Sequence, residues 1–493
     1  MRKRIIPALA LASLGLVACG GGGGSSTSTG TLVFSEIMYQ GAGTDSLEFL
    51  ELRNDADSTI PLAGLAITGA VAYQFGADAP TLKPGAMIVI TNLTEDFATR
   101  FPGVLAYGPY TGHLSNSGEK LQVTTIDSTV VAECEYGVGA SWPAMAAGGG
   151  YSLVYTGLDQ TKGDSWSASL VAGGNPGAKD KVAPAMVVQI NEVVPVGSTG
   201  GAWIELANTS SKAVDVSGWL LTDSIGDPNA YSIPAGTSVP AHGFVVLSES
   251  AWSASTLAPA LTGGDLYLIR TESGVASGSS NTMRFLSMAD GSSAGLAIMS
   301  DGTVETSNFS TPTPGAANGS ATVGPLVVSE MMYNPDSNNV EYMELTNISA
   351  DTLKLADGSD VSFVYKVEGV GFSFPTGATL APNSKVVLIR ADDIDTASFR
   401  TKYSVPSSVA IYAYPDKLSN SGERVEVKRP FQAVLVGAVP QYVMTWSDIV
   451  DYTDVAPWPL KADGDGQALY RKDNGVAGSD PSNWSSNAPT PGQ

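Results

Sequence analysis

The side chains of this chain that could do chemistry come mostly in matched sets. Glu36 and Glu51 recur as Glu192 and Glu205, and again as Glu330 and Glu344. Each pair falls on two successive strand-like strings, so pairing of those strands would bring two carboxylates together. Such pairs can perform general acid–base work or bind calcium. Their presence in three copies argues instead for a fold role, such as accepting backbone, Ser or Asn hydrogen bonds at a sandwich edge. Glu119 and Glu423, each in an SGE triplet, take the same reading. His113 and His242 are the only histidines and both read as loop residues, which disfavours His-rich metal sites and Ser-His-Asp machinery. Asp463 and Asp465 in ADGDGQALY hint at a calcium loop, but Gln467 fills the third acidic position and Asn474 replaces the terminal Glu, so a turn before a strand reads better. With no phosphate-cradling Gly loop and no nucleophile beside a base, the sequence predicts no catalytic residue, no metal and no cofactor.

Aromatic side chains are the other route to a ligand site. Trp142 and Trp458 both occupy WP slots, Trp166 and Trp484 both precede a closing turn, and Trp252 falls where Phe97 and Phe399 fall elsewhere. Such equivalence predicts packing. Trp446 is the exception, in the aromatic and acidic stretch PQYVMTWSDIVDYTDV, which reads as an inserted loop. Tyr442, Trp446 and Tyr452 are therefore the candidate recognition patch. Cys134, within VVAECEYGV, reads as a small buried hydrophobe.

The elements that position these residues repeat. LVFSEIMY at Leu32 returns as LVVSEMMY at Leu326, with a looser MVVQINEVV at Met186. EFLELRN, AWIELAN and EYMELTN follow in turn, then an aromatic or aliphatic pair before a Pro turn, then MIVI, FVVL and VVLI, which read as buried strands. LSNSGE appears at Leu114 and Leu418, and GGNPG, TPTPG and APTPG close the copies. Period-2 strings of Val, Ile, Tyr and Phe punctuated by Gly, Pro and Asn predict an all-β antiparallel sandwich, repeated three times. Helix is expected only from Thr94 and Thr396, with each Thr as N-cap. The units are placed at residues 31–180, 185–319 and 325–493, joined by short linkers that allow limited bending.

Taken together, EIMY, the x-E-L-x-N strand, Ser217-Gly218-Trp219, LSNSGE, the WP pair, a Gly-rich turn and the closing PTPG resemble the lamin-tail domain. The first and third copies match nearly end to end, while the second lacks LSNSGE and the WP pair. The resemblance implies an immunoglobulin-like β-sandwich, found in bacteria as a module of exported and surface proteins. It implies little about activity, because many such domains accompany a separate enzymatic domain.

The N-terminus predicts the destination. Arg2, Lys3 and Arg4 precede a short apolar run, the pattern of a signal peptide over residues 1–18. Leu16-Val17-Ala18-Cys19 matches the bacterial lipobox, which implies cleavage before Cys19 and its lipidation; residues 19–30 then form a Gly/Ser tether. Gly20 after the Cys favours the bacterial outer membrane, with the domains facing periplasm or cell surface. Net charge is −22, or −25 once residues 1–18, with three basic and no acidic residues, are removed; nucleic acid is therefore not an expected partner. The expected function is a non-enzymatic, membrane-anchored lipoprotein whose domains bind or scaffold protein or glycan components. The alternative is a carbohydrate-binding protein using the aromatics of the third domain, with a nuclease or phosphoesterase least favoured.

Overall fold

The computed structural model describes residues 32–43, 46–139, 141–157, 159–179, 181–227, 230–436 and 439–493. The signal peptide, Cys19 and the tether lie outside them.

Each unit is built on one antiparallel pair, the opening strand and the Glu-rich strand: Leu32–Met38 with Phe49–Asn54, Val188–Val194 with Trp203–Asn208, and Leu326–Met332 with Tyr342–Asn347. These pairs lie inside sheets of six, five and six described strands respectively. A second sheet of five, four and four strands, with a long hairpin along one edge, packs against the first. The chain is therefore three β-sandwiches in tandem. Between the sheets of the first unit lie Phe34, Leu50, Leu52, Ile67, Leu121 and Val123, all buried; Val328, Leu345, Val367, Val425 and Val427 do the same in the third.

The opening strands of the first and third units are buried along their whole length. Their inner face meets the second sheet. Their outer face is covered by a short helix and by the closing segment, so the helix contributes Phe97 or Phe399 to a second apolar cluster with Met38 and Phe49, or Met332 and Tyr342. The helices run Thr94–Arg100 and Thr396–Tyr403, and Phe97–Phe101 and Phe399–Tyr403 stack at 4.9 and 4.6 Å. The expected Thr caps are corrected. Both Thr residues are the first helical residue; Asp395 caps the third-unit helix by accepting from the N–H groups of Ala397 and Ser398, and Leu93 offers no side-chain cap. The chain crosses over this helix to add a parallel edge strand, Ala106–Tyr107 or Ala410–Tyr414, to an otherwise antiparallel sheet. The second unit has a four-residue helix, and no described strand pairs beyond Phe244–Ser248. FVVL is consequently only half-buried there, with Val246 exposed, where MIVI and VVLI are covered.

The stretch Pro440–Val455 is not an inserted loop. Strands Gly422–Val436 and Val439–Thr453 form one continuous hairpin, with bulges at Val427/Lys428 and Pro430/Gln432. Period-2 alternation in this stretch was hidden by the bulge that leaves Ser447 between Trp446 and Asp448 without a partner.

The hairpins also join the units. The second-unit hairpin, Gly263–Glu272 with Val275–Leu286, lays Ile269, Tyr267 and Ala276 on Met145, Tyr151 and Ala168 of the first unit. Tyr151 donates to the Ala276 carbonyl at 2.5 Å, and a bridge between Ser169 and Val182 holds the linker against the first unit. At the next joint, Arg424 Nη1 of the third-unit hairpin lies 2.6 Å from Glu305 Oε1, and Asn308 Nδ2 donates to Thr445 Oγ1 at 3.0 Å. A cleft of about 130 Å³ remains between those two units.

Candidate functional site

The carboxylates come together as their spacing predicted: Glu36 faces Glu51, Glu192 faces Glu205, and Glu330 faces Glu344 directly across the central strand pair. All six are buried. A β-bulge just before the first Glu of each pair (Phe34/Glu36, Ile190/Glu192, Val328/Glu330) lets two successive residues face the same side. The residue beside that Glu is thereby turned toward the opposite one. Ser35 Oγ donates to Glu51 at 2.6 Å, Asn191 Nδ2 to Glu205 at 2.7 Å and Ser329 Oγ to Glu344 at 2.6 Å. Sequence reasoning passed over these three residues; the signal was a small polar residue breaking the apolar alternation at one place in every copy.

The remaining lone pairs hold the closing segment. In the first unit, Asn175 N donates to Glu36 at 3.0 Å and Gly177 N to Glu51 at 2.7 Å. In the second, Thr313 N reaches both oxygens of Glu192, at 3.2 and 3.1 Å, and Gly315 N reaches Glu205 at 2.5 Å. In the third, Thr490 N donates to Glu330 at 2.7 Å and Gly492 N to Glu344 at 2.7 Å. The shared x-Pro-Gly explains the geometry: Gly177, Gly315 and Gly492 have φ of 79, 80 and 80°, the left-handed conformation that the second central residue of a Pro-Gly turn requires. Burial raises the pKa values of Glu51, Glu205 and Glu330, while the donated N–H and O–H groups oppose the rise. Each pair is a clamp that fastens the end of a domain to its centre, every one of the six carboxylates accepting at least one hydrogen bond from the closing segment.

Other recurring polar residues act alike. Glu48 and Glu341 accept from Tyr110 and Tyr414 hydroxyls at 2.8 Å and from the N–H groups of Leu114 and Leu418. Glu119 and Glu423 each accept from the Ser N–H four residues earlier. Tyr136 and Tyr452 donate to the carbonyls of Ser115 and Ser419, and their rings lie 5.0 and 4.7 Å from Tyr39 and Tyr333. Tyr452 is thus the third-unit counterpart of Tyr136. It is fully buried and cannot belong to a surface patch. The equivalence was concealed because Tyr136 follows its Glu by 17 residues and Tyr452 follows by 29, across the longer hairpin.

The other two candidates separate as well. Tyr442 packs edge-to-face on Phe363 at 5.0 Å, while Trp446 is half-buried, donates from Nε1 to Glu426 at 3.3 Å and lines the cleft between the second and third units. The structure therefore does not bring Tyr442, Trp446 and Tyr452 into one patch. Trp142 stacks near Trp166 at 6.3 Å and Trp458 near Trp484 at 6.1 Å, so both pairs serve packing. Cys134 is buried, and burial raises its thiol pKa far above the usual range. His113 is exposed beside Glu48 at 3.7 Å, and His242 sits in a turn with φ of 49°. Asp463 accepts from Asn334 Nδ2 at 2.6 Å. Among the described residues no group of three or more His, Cys, Asp or Glu side chains is placed to hold a metal.

No curated protein matches this chain. A family model, the Lamin Tail Domain, matches residues 25–137, 181–297 and 319–432. Each match ends before strands that complete the same sheets, such as Leu153–Tyr155, which pairs with Leu32–Met38. With well over half of its length matched, and with the same carboxylate clamp in each of three sandwiches, the chain belongs to the lamin tail domain family and carries three tandem copies of the domain.

Proposed function

We propose that this protein is a lipid-anchored, non-enzymatic lipoprotein of the bacterial outer membrane whose tandem lamin tail domains bind or scaffold protein or glycan components of the envelope or exterior. The observation that carries the non-enzymatic part is the carboxylate clamp. The side chains best suited to acid–base or metal chemistry are buried in all three copies and hydrogen-bonded to the closing segments. Support for anchoring is the Leu16–Cys19 lipobox ahead of a Gly/Ser tether, with acyl chains contributing about 0.8 kcal/mol per buried CH₂. The test has two parts. A palmitate analogue should label the wild type and not Cys19→Ala; equal labelling removes the anchor from the proposal. A pull-down with the three-domain ectodomain from envelope and medium fractions should enrich a protein or glycan, and turnover of any substrate lost with a single side chain would contradict the non-enzymatic reading.

A further inference from the structure

The cleft between the second and third domains holds a charge that the protein leaves unanswered. Two arginines, Arg424 and Arg429, lie at this joint, and a third, Arg471, is buried in the third domain behind it. Arg424 pairs with Glu305 at 2.6 Å, and Arg471 Nη2 pairs with Asp448 Oδ1 at 3.0 Å. Arg429 lines the cleft and has no carboxylate partner and no side-chain hydrogen bond among the described residues; its Nε is sealed from solvent with no acceptor. Its guanidinium lies over the face of Phe431, 5.2 Å away, and Tyr365 also favours its charged form. Burial lowers its pKa, yet a guanidinium stays charged in proteins, so the fold retains a half-buried cation with no carboxylate beside it, at some cost. Such a cost is tolerated when an anion is to be bound. The surroundings restrict which anion: Phe431, Trp446 and Met288 give the cleft apolar walls, and Asn308 with Thr445 ties its two sides together. A water needs about 10–15 Å³ of such space, so 130 Å³ has room for a small organic molecule as well as for a bare ion.

We propose that this interdomain cleft is a binding site for a small organic carboxylate with a flat apolar body, its carboxylate on Arg429 and its body against Trp446 and Phe431. The planar guanidinium suits two-pronged recognition of a carboxylate. The site adds a small-molecule ligand to a protein otherwise read as a scaffold and does not depend on lipid anchoring. Because both domains line it, occupancy also stiffens the joint.

Benzoate is the probe, titrated into the full chain with equilibrium dialysis and tryptophan fluorescence as readouts. One saturable site of millimolar affinity or tighter is expected, with benzamide, which lacks the charge, and inorganic phosphate, which lacks the apolar body, each weaker by about tenfold or more. Arg429→Gln should lose benzoate binding by at least about tenfold with an unchanged or raised melting temperature, because it removes an unpaired charge. Should that variant fail to fold, Arg429→Lys keeps the charge without the fork and should bind several-fold more weakly. No saturable binding, equal binding of benzamide or phosphate, or an affinity independent of residue 429 would each overturn the proposal.

Discussion

Met145, Tyr151 and Ala168 meet Ile269, Tyr267 and Ala276 at the joint between the first and second domains, whereas the next joint is held by Glu305 with Arg424, Asn308 with Thr445 and Ser300 with Asp480, around an open cleft. The equivalent hairpin takes part in both, that of the second domain at the first joint and that of the third domain at the next. Position for position, Gln122, Tyr267 and Glu426 stand on the outward face of the three hairpins, each one residue beyond the buried Leu121, Leu266 and Val425. In the first domain that face is charged, with Lys120 2.9 Å from Glu133. In the second it is apolar and closes a joint by burial, and in the third it is ionic and leaves space. One fold element thus serves as a solvated face, a dry joint and a polar cleft, because the outward residues of a strand are free to vary while the inward ones must fill the core.

The largest effect should come from the ion pair buried in the third domain behind the polar joint. Asp448→Ala strands the Arg471 guanidinium, whose side chain is 0% exposed, and removes the acceptor of the Val328 N–H. A loss of about 3–5 kcal/mol is expected, read by calorimetry as a lower third-domain transition with the first-domain transition unmoved. Next, Ile269→Ala should cost about 2–4 kcal/mol at the dry joint. It should also separate the unfolding of the first two domains, and a single unchanged transition would mean that the joint does not couple them.

The pH dependence distinguishes the joints further. Burial at the polar joint pushes Glu305 up to about 7, against the opposing Arg424. A carboxyl whose folded pKa is raised binds protons more readily folded than unfolded, so its contribution to stability falls as pH rises from about 4.5 to about 7. Asp451, facing the same arginine, is raised by burial and acts in the same direction. Glu305→Gln should therefore flatten the pH dependence of the second and third domains by up to a few kcal/mol across that window, as followed by denaturant midpoints. Smallest is the effect of salt. Raising ionic strength from about 0.05 to about 0.5 M should cost the polar joint under about 1 kcal/mol and leave the dry joint unchanged, measured by amide exchange at the two interfaces.

The repeats were legible because the core of a sandwich tolerates little variation: LVxSExMY, x-E-L-x-N and the closing Pro-Gly each satisfy a packing or hydrogen-bonding demand that recurs with the fold. The predicted fold role of the Glu pairs was readable for the same reason, since three copies place the same carboxylates on paired strands. The patch was misread where spacing changed. Tyr452 looked like a departure because a longer hairpin displaced it from the slot of Tyr136, and a bulge at Ser447 broke the alternation that would have marked Trp446 and its neighbours as strand.

By itself, the sequence determined the fold class, the number of copies and the carboxylate pairs, all of which follow from local periodicity repeated along the chain. Only the tertiary structure decided what the clamps hold, since Gly177 and Glu51 are 126 residues apart and Gly492 and Glu344 are 148 apart. It alone decided which hairpin faces become joints, and that Arg429 lies unpaired in a cleft between two domains. Those outcomes depend on distances between residues remote in the chain, and neither composition nor spacing encodes such distances.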